Sequence, residues 1–427
     1  MIILLIFGCV LALVLIDVPI AVALGIVAVV ASLVSHGTES LPNLPISLYN
    51  GATNFPLIAI PLFILAGAIM NASGISHRLI AFASALLGFM RGGLAMVAIG
   101  ASLFFAEISG SAVADISALG SILIPAMKSK GYPAPLAAAI LSSSATLAVI
   151  IPPSIPMILY AVMAGTSVVQ LFVAGIVPGI VGGLGLMGMA YWFARRYNLP
   201  IEEKFQWARV RRTFREAFWA FTLPVIILGA IFGGIVTATE GAAMAVVAAL
   251  FIGLVVYREL DLRHLRTALI EGAVQTAVVM LLVAASALLG NYLSEVQAPQ
   301  HLAQAVSNLT HNKWLVLGLL NVLFLLLGMF LHSAAAIILV VPVVMPLVIA
   351  AGIDPIHFGL IVTVNLGIGQ QTPPVASVLM VACSIAKASV WEVTRVNIWF
   401  IGVLFAILML VTYVPEFGLG LVHMFYK

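Results

Sequence analysis

Two short segments carry the residues whose types and spacing are best suited to bind an ion. The first runs from Ser142 to Ser154 and the second from Asn365 to Pro374, and each ends in a Pro-Pro pair that follows Ser, Thr, Asn or Gly residues. Proline has no N–H to donate and clashes with the preceding helical turn, so each pair breaks a helix and frees carbonyl oxygens. Carbonyl oxygens beside hydroxyls are the ligands that a hard cation prefers. The two segments therefore predict binding of a small cation such as sodium without a formally charged ligand.

The composition requires lipid as the main solvent. Of 427 residues, 63% are hydrophobic and 8% are charged, whereas soluble domains carry about 25% charged residues. Because the apolar runs lack the alternation of a barrel strand, they predict membrane helices whose backbone groups pair internally. Cys9 and Cys383 both lie in apolar runs and imply no disulfide framework. No nucleotide-binding motif is present in the sequence, which argues against ATP hydrolysis by this chain.

Two pairs of apolar segments are short and meet at a polar tip, which is typical of re-entrant hairpins. They cover about 93–127, with the tip at 107–111, and about 314–350, with the tip at 331–333. The Pro-Pro pairs lie in longer segments at 135–163 and 356–386. The spacing leaves open whether 2–34 is one broken span or two short ones.

The basic residues indicate on which side of the membrane each connecting segment lies. If both pairs are hairpins, 16 of the 18 Lys and Arg residues fall on one side, and only Lys313 and Lys427 fall on the other. Basic loops remain in the cytoplasm, so that side is predicted to be cytoplasmic. The first hairpin then opens to the cytoplasm and the second to the periplasm.

The two halves of the chain resemble each other. Pro125 and Pro346, Gly131 and Gly352, and the two Pro-Pro pairs are each 221 residues apart, while Leu79 and Leu302 are 223 apart. We predict an N-terminal half at 1–193, a cytoplasmic connector at 194–216 that is either an amphipathic helix or a solvated loop, and a C-terminal half at 217–427. With hairpins on opposite faces, the fold is an all-α polytopic protein of two inverted repeats, which is typical of secondary transporters.

The hairpin tips predict the substrate site. Hydroxyls and helix N-termini suit an anionic substrate, and no Lys or Arg lies at membrane depth, so any substrate carboxylate would be held by dipoles and hydroxyls rather than by an ion pair. His332 either binds substrate or a proton, or its imidazole ring forms hydrogen bonds with backbone groups. The residues predicted to bind substrate are Ser109, Ser111, Ser154, His332 and Ser333.

Acidic residues within the membrane are few and therefore of functional interest. Asp115 follows the first tip and either approaches the cation or caps the hairpin helix, and Glu107 is expected to tether the hairpin to a neighbour. Glu240, in Thr237-Ala238-Thr239-Glu240, is expected to cap a helix at the membrane interface. We assign structural or gating roles to Asp115, Glu240, Pro152, Pro153, Pro373 and Pro374.

In combination, these motifs resemble the large membrane subunit of tripartite ATP-independent periplasmic (TRAP) transporters over nearly the whole chain. The stretches that carry the resemblance are Arg91–Met96, Ser109–Asp115 with Ala118–Gly120, Ser143–Thr146, Ile150–Ser154, Thr237–Glu240, Asn365–Gly369 and Thr372–Val375. The resemblance implies an elevator-type sodium symporter of the bacterial inner membrane. It also implies a small four-helix membrane subunit and a periplasmic substrate-binding protein as partners, carboxylates such as C4-dicarboxylates or sialic acids as substrates, and no cofactor besides the coupling sodium ions.

The motifs also carry over sodium-binding positions. These are Ser109, Gly110, Ser111, Ser143, Ser144, Thr146, Gly367, Gly369, Gln370 and Thr372. The chain departs from the family pattern at His332, where an acid is frequent, and at Ala376, where glycine is frequent and a local packing effect is expected.

Two other interpretations make different predictions. A stand-alone sodium/carboxylate symporter of similar architecture would need no binding protein. An intramembrane enzyme would need a nucleophile or metal constellation, yet the sequence contains no HExxH or GxSxG motif and its eight histidines are scattered.

Overall fold

The computed structural model describes residues 2–16, 18–201, 204–310 and 312–426, without the side chains of residues 2–4, 15, 108–109 and 305–309. Twenty α-helices are present in these residues. They are α1 (Ile2–Leu15), α2 (Ile20–His36), α3 (Asn43–Ala52), α4 (Ala59–Ala72), α5 (Ile75–Leu87), α6 (Gly93–Ser109), α7 (Ala112–Ser129), α8 (Ala134–Ala145), α9 (Ile155–Ala164), α10 (Val168–Arg196), α11 (Trp207–Phe232), α12 (Ala238–Phe251), α13 (Leu262–Glu295), α14 (Ala298–Leu309), α15 (Lys313–Phe330), α16 (Ser333–Ala350), α17 (Pro355–Gly369), α18 (Ser377–Ala386), α19 (Val390–Tyr413) and α20 (Glu416–Phe425).

The described residues form no β-strand beyond an isolated bridge between Arg91 and Ile201. Ten of the described helical segments are long and apolar enough to cross a membrane. Large apolar side chains such as Val274 (59% exposed) and Leu326 (52% exposed) face outward, which is stable only where lipid covers them. The prediction of an all-α polytopic membrane protein is confirmed.

Helix boundaries recur at the spacing found in the sequence. Helices α7 (112–129) and α16 (333–350) begin and end 221 residues apart, and the starts of α6, α8, α9 and α10 precede those of α15, α17, α18 and α19 by 220–222 residues. Gly131 and Gly352, which close the turns after α7 and α16, both have positive φ angles, a conformation that glycine adopts at little cost. Both Pro-Pro peptide bonds are cis.

The two hairpins and the two broken helices interlock. The hairpin α6–α7 packs on α8 and α18, and the hairpin α15–α16 packs on α17 and α9. Each hairpin therefore contacts the first half of its own broken helix and the second half of the other one. We call the hairpins, the broken helices, α10 and α19 the repeat core.

A second group of helices, which we call the outer layer, lies against the repeat core. It consists of α2, α3, α4, α11, α12 and α13, with α13 packed on α2, α3 and α4, and α12 packed on α4 and α11. Helix α5 joins α4 to the first hairpin, and α14 joins α13 to the second. These two linking helices contain the aligned pair Leu79 and Leu302.

The structure divides some segments differently from the expectation. Residues 2–34 form two separate helices, α1 and α2, and Asp17 between them lies outside the described residues. Helix α10 extends to Arg196, and α11 begins at Trp207 and continues unbroken to Phe232, so the described non-helical residues between them are 197–201 and 204–206. Helices α3, α5 and α14 were not predicted, because polar residues interrupt their apolar positions.

Three contacts join segments that the charge pattern assigns to the cytoplasm. Arg78 donates to both carboxylate oxygens of Glu259, at 2.6 and 3.1 Å. The Gly92 amide donates to the Pro200 carbonyl at 3.1 Å. The Lys128 ammonium donates to the Ala386 carbonyl at 2.7 Å. Each contact places two of these segments side by side, as expected if all of them lie on one face.

Candidate functional site

Both hairpin tips and both helix breaks meet in one cavity of about 850 Å³. The first hairpin contributes Gly110 and Ser111, and the second contributes His332 and Ser333. Gln370, at the second break, also lines the cavity. These residues come from parts of the chain more than 200 positions apart and meet only because the hairpins and broken helices interlock.

The outer layer and α5 form the opposite wall. Asn71 and His77 lie at the junction of α4 and α5, and Glu271 and Gln275 lie near the start of α13. All four are exposed, so the cavity opens on their side. Because His77 is next to Arg78 in the chain, the opening lies at the end of the molecule where Arg78 contacts Glu259. Among the described lining residues there is no Lys or Arg, and the polar lining consists of hydroxyls, amides, two histidines and one carboxylate.

The first tip is fixed directly to the first break. The Gly110 carbonyl accepts a hydrogen bond from the Ile155 amide at 3.2 Å, and the Ser111 hydroxyl caps α7 by accepting from the Ala114 amide at 3.5 Å. Gly110 has a φ of +59°, and a Cβ at this residue would lie 2.8 Å from the Pro153 carbonyl oxygen. Glycine is therefore required at this tip for both conformation and space.

The second tip is fixed to the second break in the equivalent way. The Met329 carbonyl accepts from the amides of Val375 at 3.2 Å and Ala376 at 3.4 Å. Nδ1 of His332 accepts from the Ala334 amide at 3.4 Å and so caps α16. One ring nitrogen of His332 is thus engaged by backbone, while the residue still lines the cavity.

A buried side-chain network joins the two breaks. Gln371 accepts from Ser143 at 3.0 Å and from Asn397 at 3.2 Å, and it donates to the Thr146 hydroxyl at 2.6 Å. Ser143 also donates to the Asn397 side chain at 2.8 Å. All four residues are at most 1% exposed, so the network fixes α8 and α19 relative to the second break.

A second network lies on α17. Asn365 donates to Asn321 of α15 at 2.6 Å, and Asn321 donates to Thr412 of α19 at 3.0 Å. On α8, Ser144 accepts from Ser102 at 3.0 Å. The site residues predicted from the sequence do not include Asn321, Gln371, Asn397 and Ser102. Polar residues in apolar helices mark functional positions, and that pattern could have identified them.

Oxygen atoms that are free to bind an ion lie near these networks. The Ser142 hydroxyl and Oδ1 of Asn365 are buried without a hydrogen-bond partner in the described chain. Nε2 of Gln370 also lacks a partner there, but it is a hydrogen-bond donor and not a cation ligand. Within the described residues no group of three His, Cys, Asp or Glu side chains could hold a metal. The available donors are neutral oxygens, which suit sodium rather than a transition metal.

The predicted site residues fall into two groups. Gly110, Ser111, His332, Ser333 and Gln370 line the cavity. The side chain of Ser109 lies outside the described residues. Ser143, Ser144 and Thr146 belong to the buried networks.

The hydroxyls of Ser154 and Thr372 both donate to backbone carbonyls near the breaks. Ser154 was predicted to bind substrate, but it is fully buried and does not line the cavity; its hydroxyl donates to the Val149 carbonyl at 2.7 Å and closes the break. Thr372 donates to the Ile368 carbonyl at 3.0 Å.

The predicted glycines allow close packing of helices, and of the two predicted acids Glu240 caps a helix. A Cβ at Gly367 would lie 2.7 Å from Thr146, and one at Gly369 would lie 2.5 Å from the Gly328 Cα, so both allow close helix contacts. Asp115 is buried in the first turn of α7. Glu240 completes a capping box in which Thr237 is the N-cap residue of α12.

Ala376 has an unfavourable backbone conformation rather than the packing role expected for it. It has a φ of +48° at the N-terminus of α18, a region that costs a non-glycine residue about 1–2 kcal/mol. We expect Ala376→Gly to raise the stability of the purified protein by about 1 kcal/mol, measured by thermal unfolding in detergent. The matched Ala382→Gly change inside α18 should lower it by about 1 kcal/mol. Equal destabilisation by both changes would contradict the strained conformation.

Comparison with known proteins decides the family. Residues 7–417 match the family model described as the tripartite ATP-independent periplasmic transporter, DctM component. The chain belongs to the DctM family of TRAP transporters. It is therefore a transporter subunit, not an enzyme, and a multi-pass protein of the bacterial inner membrane.

Individual relatives support the assignment. The chain is 39% identical over 383 residues to the C4-dicarboxylate TRAP transporter large permease protein DctM of Pseudomonas aeruginosa, covering 90% of each chain. It is 40% identical over 404 residues to the isethionate TRAP transporter permease protein DctMQ of Oleidesulfovibrio alaskensis, covering 94% of this chain but 63% of that protein. The crystal structure of the Alcanivorax borkumensis YdaH transporter shares the fold, with a TM-score of 0.63, 16% identity and 90% coverage of both chains.

Proposed function

We propose that this DctM-family chain is the large membrane subunit of a sodium-coupled, binding-protein-dependent importer of small organic anions. The observation that carries the proposal is the single cavity where both tips and both breaks meet. Broken helices that line a cavity between two repeats form the substrate and ion sites of secondary transporters.

Alternating access requires the repeat core to move against the outer layer. The cavity lies between these two groups of helices, and its exposed wall lies at the predicted cytoplasmic end. We interpret this conformation as inward-open and the transport cycle as an elevator movement of the repeat core. Helices α5 and α14 would act as the flexible links, since each joins the outer layer to a hairpin.

The lining chemistry favours a carboxylate held without an ion pair. Ser111 and Ser333 lie at the N-termini of α7 and α16, where the helix dipole favours negative charge. Family relatives named for C4-dicarboxylate and sialic acid transport make these two classes the first substrates to test.

Partner dependence separates this proposal from a stand-alone symporter. The chain should be reconstituted in liposomes with its small membrane subunit and periplasmic binding protein, and uptake of labelled C4-dicarboxylates and sialic acid measured under an inward sodium gradient. We expect uptake only when the sodium gradient and both partners are present. Strong uptake by the chain alone would contradict the proposal and favour the stand-alone symporter.

The proposed sodium sites predict a change in sodium dependence. We expect Ser144→Ala and Thr372→Ala each to raise the sodium concentration for half-maximal uptake about tenfold, which corresponds to about 1.4 kcal/mol of lost binding. The control is Ser129→Ala, whose exposed hydroxyl at the end of α7 bonds to the Ala126 carbonyl of the same helix. Unchanged sodium dependence in both site variants would contradict these positions.

A further inference from the structure

The outer face of α11 changes from basic to apolar along the helix. Val210, Thr213 and Ala217 lie on the inner face and are buried in the protein. On the outer face, Val225 is 71% exposed and Ile226 is 55% exposed. A run of exposed apolar side chains in a membrane protein is stable where lipid covers it. The C-terminal part of α11 therefore faces the hydrocarbon.

The basic part of this face begins one helical turn before Trp219. Trp219 is 44% exposed, and tryptophan is enriched where the hydrocarbon meets the polar headgroups. Arg215 lies about 6 Å from Trp219 along the helix axis, and Arg211 lies one turn further, at the end that the charge pattern assigns to the cytoplasm. The headgroup layer is roughly 5–8 Å thick on each side of the hydrocarbon. Both guanidinium groups therefore lie in or beside this layer.

The arginines form one side of a shallow surface depression of about 540 Å³. The depression is lined by Trp207, Ala208, Arg211, Arg212, Arg215 and Glu216. Arg212 pairs with Glu216, with 3.9 Å between Nε and Oε1. Within the described residues, Arg211 and Arg215 take part in no ion pair. Three guanidinium groups and one carboxylate give the lining a formal charge of +2.

This arrangement favours an anion with several oxygen atoms. Arg211 and Arg215 are four residues apart on a helix, so their side chains are neighbours and their like charges repel each other. An anion bound between them removes that repulsion. A planar guanidinium group presents two parallel N–H donors that match the oxygens of a phosphate, which is why arginine is a frequent phosphate ligand.

The position of the depression determines where the phosphate comes from. The depression adjoins the lipid-facing surface of the same helix, and anionic lipids of the cytoplasmic leaflet attract basic clusters that lie beside a membrane helix. We propose that Arg211 and Arg215 bind the phosphate of an anionic phospholipid in the cytoplasmic leaflet. Because α11 belongs to the outer layer, the bound lipid anchors that layer at the membrane surface. The site depends neither on sodium coupling nor on movement of the repeat core.

Lipid binding to the purified chain tests the site without transport. Phosphatidylglycerol is titrated into the detergent-solubilised protein, and native mass spectrometry measures its binding to the wild type and to the Arg211→Gln, Arg215→Gln double variant. We expect the double variant to bind about tenfold more weakly or worse, because each basic residue beside an anionic membrane surface contributes roughly a fivefold factor. Both positions are exposed, so the variant should fold like the wild type.

A charge-matched variant and two other compounds make the test specific. The Arg263→Gln, Arg266→Gln double variant removes two exposed arginines at the start of α13, outside the depression, and should bind phosphatidylglycerol like the wild type. Phosphatidylcholine, which has no net charge, should bind all three proteins equally weakly. Inorganic phosphate at millimolar concentration should not displace the lipid. Unchanged binding by the Arg211 and Arg215 variant, equal loss in both double variants, or displacement by inorganic phosphate would each overturn the proposed lipid site.

Discussion

Gly369→Ala is expected to destabilise the protein by about 3 kcal/mol, at the upper end of the cost of overpacking. A Cβ at Gly369 would lie 2.5 Å from the Cα and 2.6 Å from the carbonyl carbon of Gly328. Both contacts are with backbone, so no side chain can rotate away, and α15 must separate from α17. The measurement is thermal unfolding of the purified protein in detergent.

A matched glycine provides the control for this change. Gly188 lies inside α10, and a Cβ there would meet no atom within 4 Å. Gly188→Ala should stabilise the protein by up to about 1 kcal/mol, the helix-propensity difference between the two residues. If Gly369→Ala is as stable as the wild type, the backbone contact between α15 and α17 is wrong.

Gln371→Leu is expected to cost about 3 kcal/mol and to abolish sodium-driven uptake. The change removes three buried hydrogen bonds, to Ser143, Thr146 and Asn397. Each is worth about 1 kcal/mol, and polar atoms left unpaired in the interior add to the loss. Thermal unfolding and uptake under a sodium gradient measure the two effects.

A double-mutant cycle separates the network from a general packing defect. Asn397→Leu should cost less in the Gln371→Leu background than in the wild type, since residues in one hydrogen-bond network couple by about 0.5–3 kcal/mol. Additive costs would mean that Gln371 and Asn397 act independently, and this result would contradict the hydrogen-bond network.

The fold was predictable from the sequence where proline and glycine constrain the backbone. The Pro-Pro pairs marked both breaks, and the 221-residue spacing of Pro125 and Pro346 anticipated helices α7 and α16, whose boundaries share that spacing. The polar tips at 107–111 and 331–333 identified the ends of the hairpin helices. Prolines and glycines act locally, so their consequences can be derived from the sequence alone.

The site was less predictable because its contacts are non-local. Ser143 and Gln371 are hydrogen-bonded although they are 228 positions apart in the chain. No local sequence pattern pairs them. Ser154 lies beside a Pro-Pro pair and seemed suited to substrate, yet its hydroxyl bonds to the nearby Val149 carbonyl. His332 both caps α16 and lines the cavity, and no local sequence pattern shows that one residue does both.

The central claim is that two oppositely oriented repeats place both hairpin tips in one cavity, and sided labelling tests it most directly. In a Cys9→Ser, Cys383→Ser background, Arg91→Cys, Lys128→Cys and Lys313→Cys proteins are labelled with an impermeant maleimide in right-side-out and inverted vesicles. All three positions are exposed. We predict that Arg91 and Lys128 react only from the cytoplasmic face and Lys313 only from the periplasmic face. Reaction of Arg91 and Lys128 from different faces, or of Lys313 from the cytoplasmic face, would contradict the inverted arrangement.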